Sequence, residues 1–112
     1  MKIYHNPRCA KSRQTLALLQ EKGIVPEIVL YLVDNLTYIE LSDLIDRLNI
    51  TPLQLVRKNE AIWKDNFKGK VLTEQQIIEA MIANPKLIER PIVVKGTRAV
   101  LGRPPEEVLQ LL

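Results

Sequence analysis

The sequence predicts an α/β fold: a mixed four-stranded sheet with a helical insertion between its second and third strands. Three observations lead there. The first third reads strand, helix, strand, an order that implies a parallel pair. The middle third carries helical periodicity and three cap-like starts. The last third holds two short apolar runs around a Gly-containing turn, the pattern of an antiparallel hairpin.

Lys2-Ile3-Tyr4 opens the first strand, expected near residues 2–5. Asn6-Pro7 breaks it. Helix formers dominate from Ala10 to Lys22, with Leu16 and Leu19 on one face and Gly23 where a C-terminal cap belongs. After Pro26, Ile28-Val29-Leu30-Tyr31-Leu32 is apolar on both parities. A strand over 27–32, covered on both faces, is expected there. Thr37 with Glu40 forms a capping-box pattern, and Leu41, Leu44, Ile45 and Leu48 follow at i, i+3, i+4, i+7. Thr51-Pro52 starts another helix with Pro at its first position. A short helix is expected over 59–65 and a loop over 67–70. Thr73 with Gln76 repeats the capping pattern, and Asn84-Pro85 ends that helix. Strands near 91–95 and 98–101 make the hairpin, and Pro104 to Leu112 closes the chain as a helix. The expected organisation is one domain over 1–112, with a core of 1–34 and 89–112 and an insertion of about 35–88.

A chain of 112 residues can bury roughly two-thirds of its unfolded surface and needs no staples. Its 46% hydrophobic and 26% charged content argues against disorder. The longest apolar run, Ile28 to Val33, has six residues, against the roughly 20 of a membrane helix. No signal-peptide stretch opens the sequence, so a cytoplasmic location is expected. A net charge of +3 and singly scattered aromatics do not suggest a nucleic-acid partner. One cysteine excludes an internal disulfide, and one Cys with one His makes a zinc site improbable. No bound cofactor and no metal are expected.

The chemistry concentrates around Cys9. It falls at a strand-to-helix turn, where a helix N-terminus stabilises a thiolate. Arg8, Lys11 and Arg13 are cationic, His5 lies four residues upstream, and Met1 to Gln20 contains no acid. These features together point to an acidic, reactive thiol rather than a small buried hydrophobe. Arg57, Arg90 and Arg103 are candidate oxyanion ligands, because guanidinium forks match tetrahedral oxyanions. Arg90 and Arg103 each precede a proline and are therefore held extended. Singly, an arginine of this kind is more often a solvated surface charge or an ion-pair partner. Arg13 and Arg98 are expected to be peripheral. In Cys9-Ala10-Lys11-Ser12, a Ser stands where dithiol oxidoreductases carry their second Cys, so any disulfide must be intermolecular. Ser12 is expected to hold Cys9 by hydrogen bonding to the loop or to the thiolate. Pro91, just before a strand and opposite a Cys at a helix start, stands where thioredoxin-like folds keep a cis proline, and the sequence leaves open whether it is cis or an ordinary trans proline at a strand entrance.

The strings His5-Asn6-Pro7-Arg8-Cys9-Ala10-Lys11-Ser12-Arg13, Leu55-Val56-Arg57-Lys58-Asn59, Ile88-Glu89-Arg90-Pro91-Ile92-Val93-Val94 and Gly102-Arg103-Pro104 occur in this order. Together they resemble the glutaredoxin-coupled arsenate reductase (ArsC) family, over nearly the whole chain. The resemblance implies a thioredoxin-like fold and arsenate reductase activity. It places Cys9, His5 and Ser12 in the catalytic centre and Arg57, Arg90 and Arg103 on the substrate. It implies that His5 helps keep the thiolate ionised, with arsenate or a similar oxyanion as substrate, glutathione as co-substrate and glutaredoxin as partner.

Two other functions fit the same residues less well. One is a glutathione-dependent thiol reductase of another substrate. The other is a redox-sensing transcriptional regulator that docks on RNA polymerase; Ser12 removes the second cysteine of that pattern. A low-molecular-weight tyrosine phosphatase is excluded, because its loop needs an Arg six residues after the Cys, where Thr15 stands here.

Overall fold

A computed structural model describes residues 1–112. The chain forms two compact units: one of residues 1–34 and 90–112, the other of residues 35–89.

The first unit holds the sheet. Strands β1 (Lys2–Tyr4), β2 (Glu27–Val29), β3 (Ile92–Lys95) and β4 (Arg98–Leu101) run in the order β2-β1-β3-β4. β1 pairs with β2 in parallel and with β3 antiparallel, and β3 pairs with β4 antiparallel. This is the mixed thioredoxin-like sheet expected from the sequence. Helix α1 (Ala10–Glu21) crosses between the parallel strands. It ends in a Schellman turn: Gly23, at φ +78°, donates to Gln20 O, and Ile24 donates to Leu19 O. The hairpin closes on Gly96 and Thr97 with a positive φ at Gly96 alone, the pattern of a II′ turn. Ile3, Leu19, Val93, Val108 and Leu111 form the core of this unit, with Leu16 packed against them.

Two expectations are corrected here. The second strand is neither central nor as long as its apolar run. Leu30 O accepts the N–H groups of Val33 and Asp34, so the chain turns after Val29. β2 is an edge strand, and Ile28, Leu30 and Leu32 are exposed. Apolar content alone does not distinguish a central strand from an edge strand that leads into a turn. The closing segment, Pro105–Leu111, is a 3-10 helix rather than an α-helix. It packs on α1 and β4 through Val108 and Leu111.

The second unit is helical: α2 (Tyr38–Leu48), a 3-10 turn (Pro52–Leu55), α3 (Ala61–Asn66), α4 (Glu74–Ala83) and a second 3-10 turn (Pro85–Leu87). Thr37 and Thr73 cap α2 and α4 in full capping boxes with Glu40 and Gln76. Leu41, Leu44 and Ile45 of α2 are buried, as are Ile77, Ile78 and Met81 of α4. Val56 and Ile88 form an antiparallel bridge that ties the two ends of this unit together. No helix is long and apolar enough to cross a membrane.

Candidate active site

Cys9 is the N-cap residue of α1, with extended backbone at φ −93° and ψ 124°. An N-cap oxygen ordinarily accepts from the N–H groups of the second and third helical residues. Here a sulfur takes that place and forms no conventional cap bond. The thiol pKa is nevertheless below its ordinary value. Burial pushes it up. The N–H of Ser12, the charge of Arg90, the N–H of Lys11 and a hydrogen bond from the Arg90 side chain together outweigh that. Cys9 as a residue is buried, 8% exposed.

The sequence points to an acidic thiol at a helix N-terminus, and the Ser12 and Lys11 N–H groups supply that part; the cation is a different one. Neither Arg8 nor Arg13 contributes to the lowering at Cys9, and Lys11 acts through its backbone. Arg13 is exposed, and its Nη1 donates to Pro7 O at 3.0 Å in the loop ahead of Cys9. Arg98, on the edge strand β4, donates to Gln110 O of the closing 3-10 helix.

His5 and Ser12 are both buried and form one pair, Nδ1 to Oγ at 2.6 Å. Ser12 Oγ also accepts the N–H of Asn6 at 3.0 Å. The His5 pKa is lowered, by burial first and by the Arg13 charge second. A neutral ring with its proton on Nε2 lets the Ser12 hydroxyl donate to Nδ1 while accepting from Asn6. His5 thus anchors the loop through Ser12 and is not among the groups that lower the Cys9 pKa. The Ser12 hydroxyl holds the loop, and its own N–H favours the thiolate.

Arg90 reaches this site from the opposite end of the sequence. Its Nε is buried with no hydrogen-bond partner, an open donor beside a thiol whose charge it favours. Arg103 is exposed and donates from Nη1 to Arg90 O at 3.4 Å. Both Arg90-Pro91 and Arg103-Pro104 are cis peptide bonds. Arg57 belongs to the helical unit. Its Nη1 pairs with Glu60 Oε1 at 2.8 Å and donates to Lys86 O at 3.3 Å, while its N–H donates to Leu87 O. The bridge at Val56 fixes the backbone beside it.

Two residues at this site escaped the sequence reading. Thr15 is fully buried, with Oγ1 at 2.8 Å from Lys11 O and 3.3 Å from Gly102 O. Gly102 donates to Pro91 O. A threonine in mid-helix and a glycine after a strand are ordinary in a sequence; only their contact singles them out.

Comparison with known proteins bears on the whole chain. It is 48% identical to the uncharacterised protein YfgD of Escherichia coli K12, over all of this chain and 96% of that one. It is 44% identical to an arsenate reductase of Haemophilus influenzae, over 98% of this chain and 97% of the relative. The solved arsenate reductase of Vibrio cholerae superposes with a TM-score of 0.95 at 43% identity, covering 99% of this chain and 96% of that one. Residues 4–111 match the profile of the ArsC family. A match of that extent, joined to relatives this similar along their full length, makes the chain a member of the ArsC family.

Proposed function

We propose that this protein is an arsenate reductase that draws its electrons from glutathione and glutaredoxin. The observation that carries the reading is the pairing of a stabilised Cys9 thiolate with an open, buried Arg90 donor. A nucleophile and an unfilled cationic donor at one helix N-terminus suit a tetrahedral oxyanion. The similar proteins from Haemophilus influenzae and Vibrio cholerae are arsenate reductases.

In this reading the Cys9 thiolate attacks the arsenic of bound arsenate. A sulfur–arsenic bond forms, and one oxygen leaves as water after protonation. Arg90 and Arg103 balance the oxyanion charge. Arg57 is a third binding residue, assigned from its match to the family pattern. Glutathione thiolate then attacks the Cys9 sulfur. A sulfur–sulfur bond forms, the sulfur–arsenic bond breaks, and its electron pair stays on arsenic, which falls from the +5 to the +3 state and leaves as arsenite. A glutaredoxin thiolate takes the glutathione from the mixed disulfide and returns Cys9 to the thiolate. Ser12, in the position of a resolving cysteine, makes these outside thiols necessary.

The test is arsenite formation by the purified chain with glutathione, glutaredoxin and NADPH-linked recycling. Turnover is expected, with none from Cys9→Ser and losses from Arg57→Lys, Arg90→Lys and Arg103→Lys, since lysine cannot make the forked contact. Absence of arsenite from the wild-type chain would defeat the reading. Retained turnover in Arg57→Lys alone would remove only that residue.

A further inference from the structure

We propose that Thr15 and Gly102 are positioning residues, a contact that sets the spacing between the first turn of α1 and the two Arg-Pro turns. The inference rests on the reading of Cys9 and Arg90 as one site. No part of it requires arsenate to be the substrate.

Lys11 supplies one of the two N–H groups that favour the Cys9 thiolate. Its carbonyl is the acceptor of the Thr15 hydroxyl at 2.8 Å, four residues along the same helix. That bond alone is common for a helical threonine. Less common is the second acceptor, Gly102 O at 3.3 Å, 87 residues away in sequence. One hydroxyl proton is shared between a carbonyl of the first turn and a carbonyl of the loop after β4.

Gly102 is there because nothing larger fits. A Cβ at this position would lie 2.6 Å from Thr15 Oγ1, 2.9 Å from Thr15 Cγ2 and 2.9 Å from Pro91 Cγ. Thr15 and Pro91 are both fully buried, so neither can swing aside. The Gly102 backbone is therefore pressed into a gap between α1 and Pro91. Its N–H donates to Pro91 O at 3.0 Å, joining the loop to the residue after Arg90. Arg103 follows Gly102 directly and donates back to Arg90 O. The chain of contacts thus runs from Lys11 through Thr15 and Gly102 to Pro91, with one site arginine attached at each end of the Gly102–Pro91 link. The His5 and Arg13 side chains make their contacts within the loop ahead of Cys9, with Ser12 and Pro7.

Four variants test it: Thr15→Val, Thr15→Ser, Gly102→Ala and the double variant Thr15→Ala with Gly102→Ala. The readouts are the Cys9 thiolate titration by ultraviolet absorbance, clean in a chain with one cysteine, and arsenate kcat/KM, both measured where circular dichroism shows a folded chain. Thr15→Val keeps the shape and loses the bond. Its thiol should titrate closer to an ordinary thiol, and kcat/KM should fall on the order of tenfold or more, as expected when a reacting pair loses its spacing. Thr15→Ser restores the hydroxyl and should restore both readouts. Gly102→Ala should show the larger effect, eased by adding Thr15→Ala, which removes two of the three atoms that the new Cβ would meet. A folded Thr15→Val chain with a wild-type thiol titration overturns the proposal, as does a Thr15→Ser chain that fails to restore it. A wild-type chain that reduces no arsenate defeats the proposed function, but the thiol titration still decides this one.

Discussion

Replacing Ser12 by alanine removes one oxygen from a place no water reaches, since the residue is 0% exposed. Two groups lose their partner: the N–H of Asn6, which donates to Oγ at 3.0 Å, and His5 Nδ1, which sits at 2.6 Å from it. An orphaned buried polar group costs about 1–3 kcal/mol. Both here lie in a loop that can shift slightly toward other partners, so the sum falls at the low end, about 2–4 kcal/mol. For 112 residues the unfolding entropy is roughly 0.24 kcal/mol per kelvin, so the midpoint should drop by about 8–17 °C. Urea titration of wild type and Ser12→Ala gives the free energy, and calorimetry gives the midpoint. The loss should shrink when His5→Phe is added, because the imidazole no longer needs a partner. A loss below about 0.5 kcal/mol, the range of an ordinary surface change, would refute the reasoning and return Ser12 to the role of a simple helix-start residue.

Arg90→Met should destabilise the Cys9 thiolate by about 1.5–3 kcal/mol, the range for a hydrogen bond to a charged group, so the thiolate population at a fixed mildly acidic pH falls roughly tenfold or more; an unmoved thiolate absorbance would show that the helix N–H groups suffice. Cys9 should also make stability depend on pH. Its folded pKa is depressed, so the unfolded chain binds more protons and stability rises with pH up to the ordinary thiol range, where the gain is complete; it is lost as pH falls through the folded value. Denaturation of Cys9→Ala across that window should show no such slope. His5 acts in the same direction lower down. Its folded pKa lies below 6.5, so the unfolded chain takes up a proton first and stability falls as pH drops through that value. His5→Asn should flatten this part of the curve above the carboxylate range; an undiminished slope would place its origin elsewhere.

How far the sequence reaches is visible element by element. Local chemistry determined the helix ends. Thr37 with Glu40, Thr73 with Gln76 and Gly23 each work within a few residues of chain, and each stands where the sequence places it. The hairpin around Gly96 and the parallel first pair follow from connection length and turn chemistry, which are also local. The thiol at a helix N-terminus was legible for the same reason. The sequence names Arg90 as a site candidate through its family pattern, but local spacing alone leaves open which groups act across the fold. It offers Arg8, Arg13 and His5 as neighbours of Cys9, but charge acts through space: His5 turns to Ser12, Arg13 to Pro7, and the cation that favours the thiolate is Arg90. The apolar run after Pro26 shows a segment that could be buried on both faces. The sheet order decides otherwise, because β1 takes the central place and β2 the edge. Thr15 carries no signal, and Gly102 none beyond its place in the Gly102-Arg103-Pro104 string, until α1 and the loop after β4 are brought together. A Cβ clash of 2.6 Å is a property of two backbones in contact. Residues that act on their own turn of chain are written in the sequence; residues that act on a partner far along it exist only in the folded molecule.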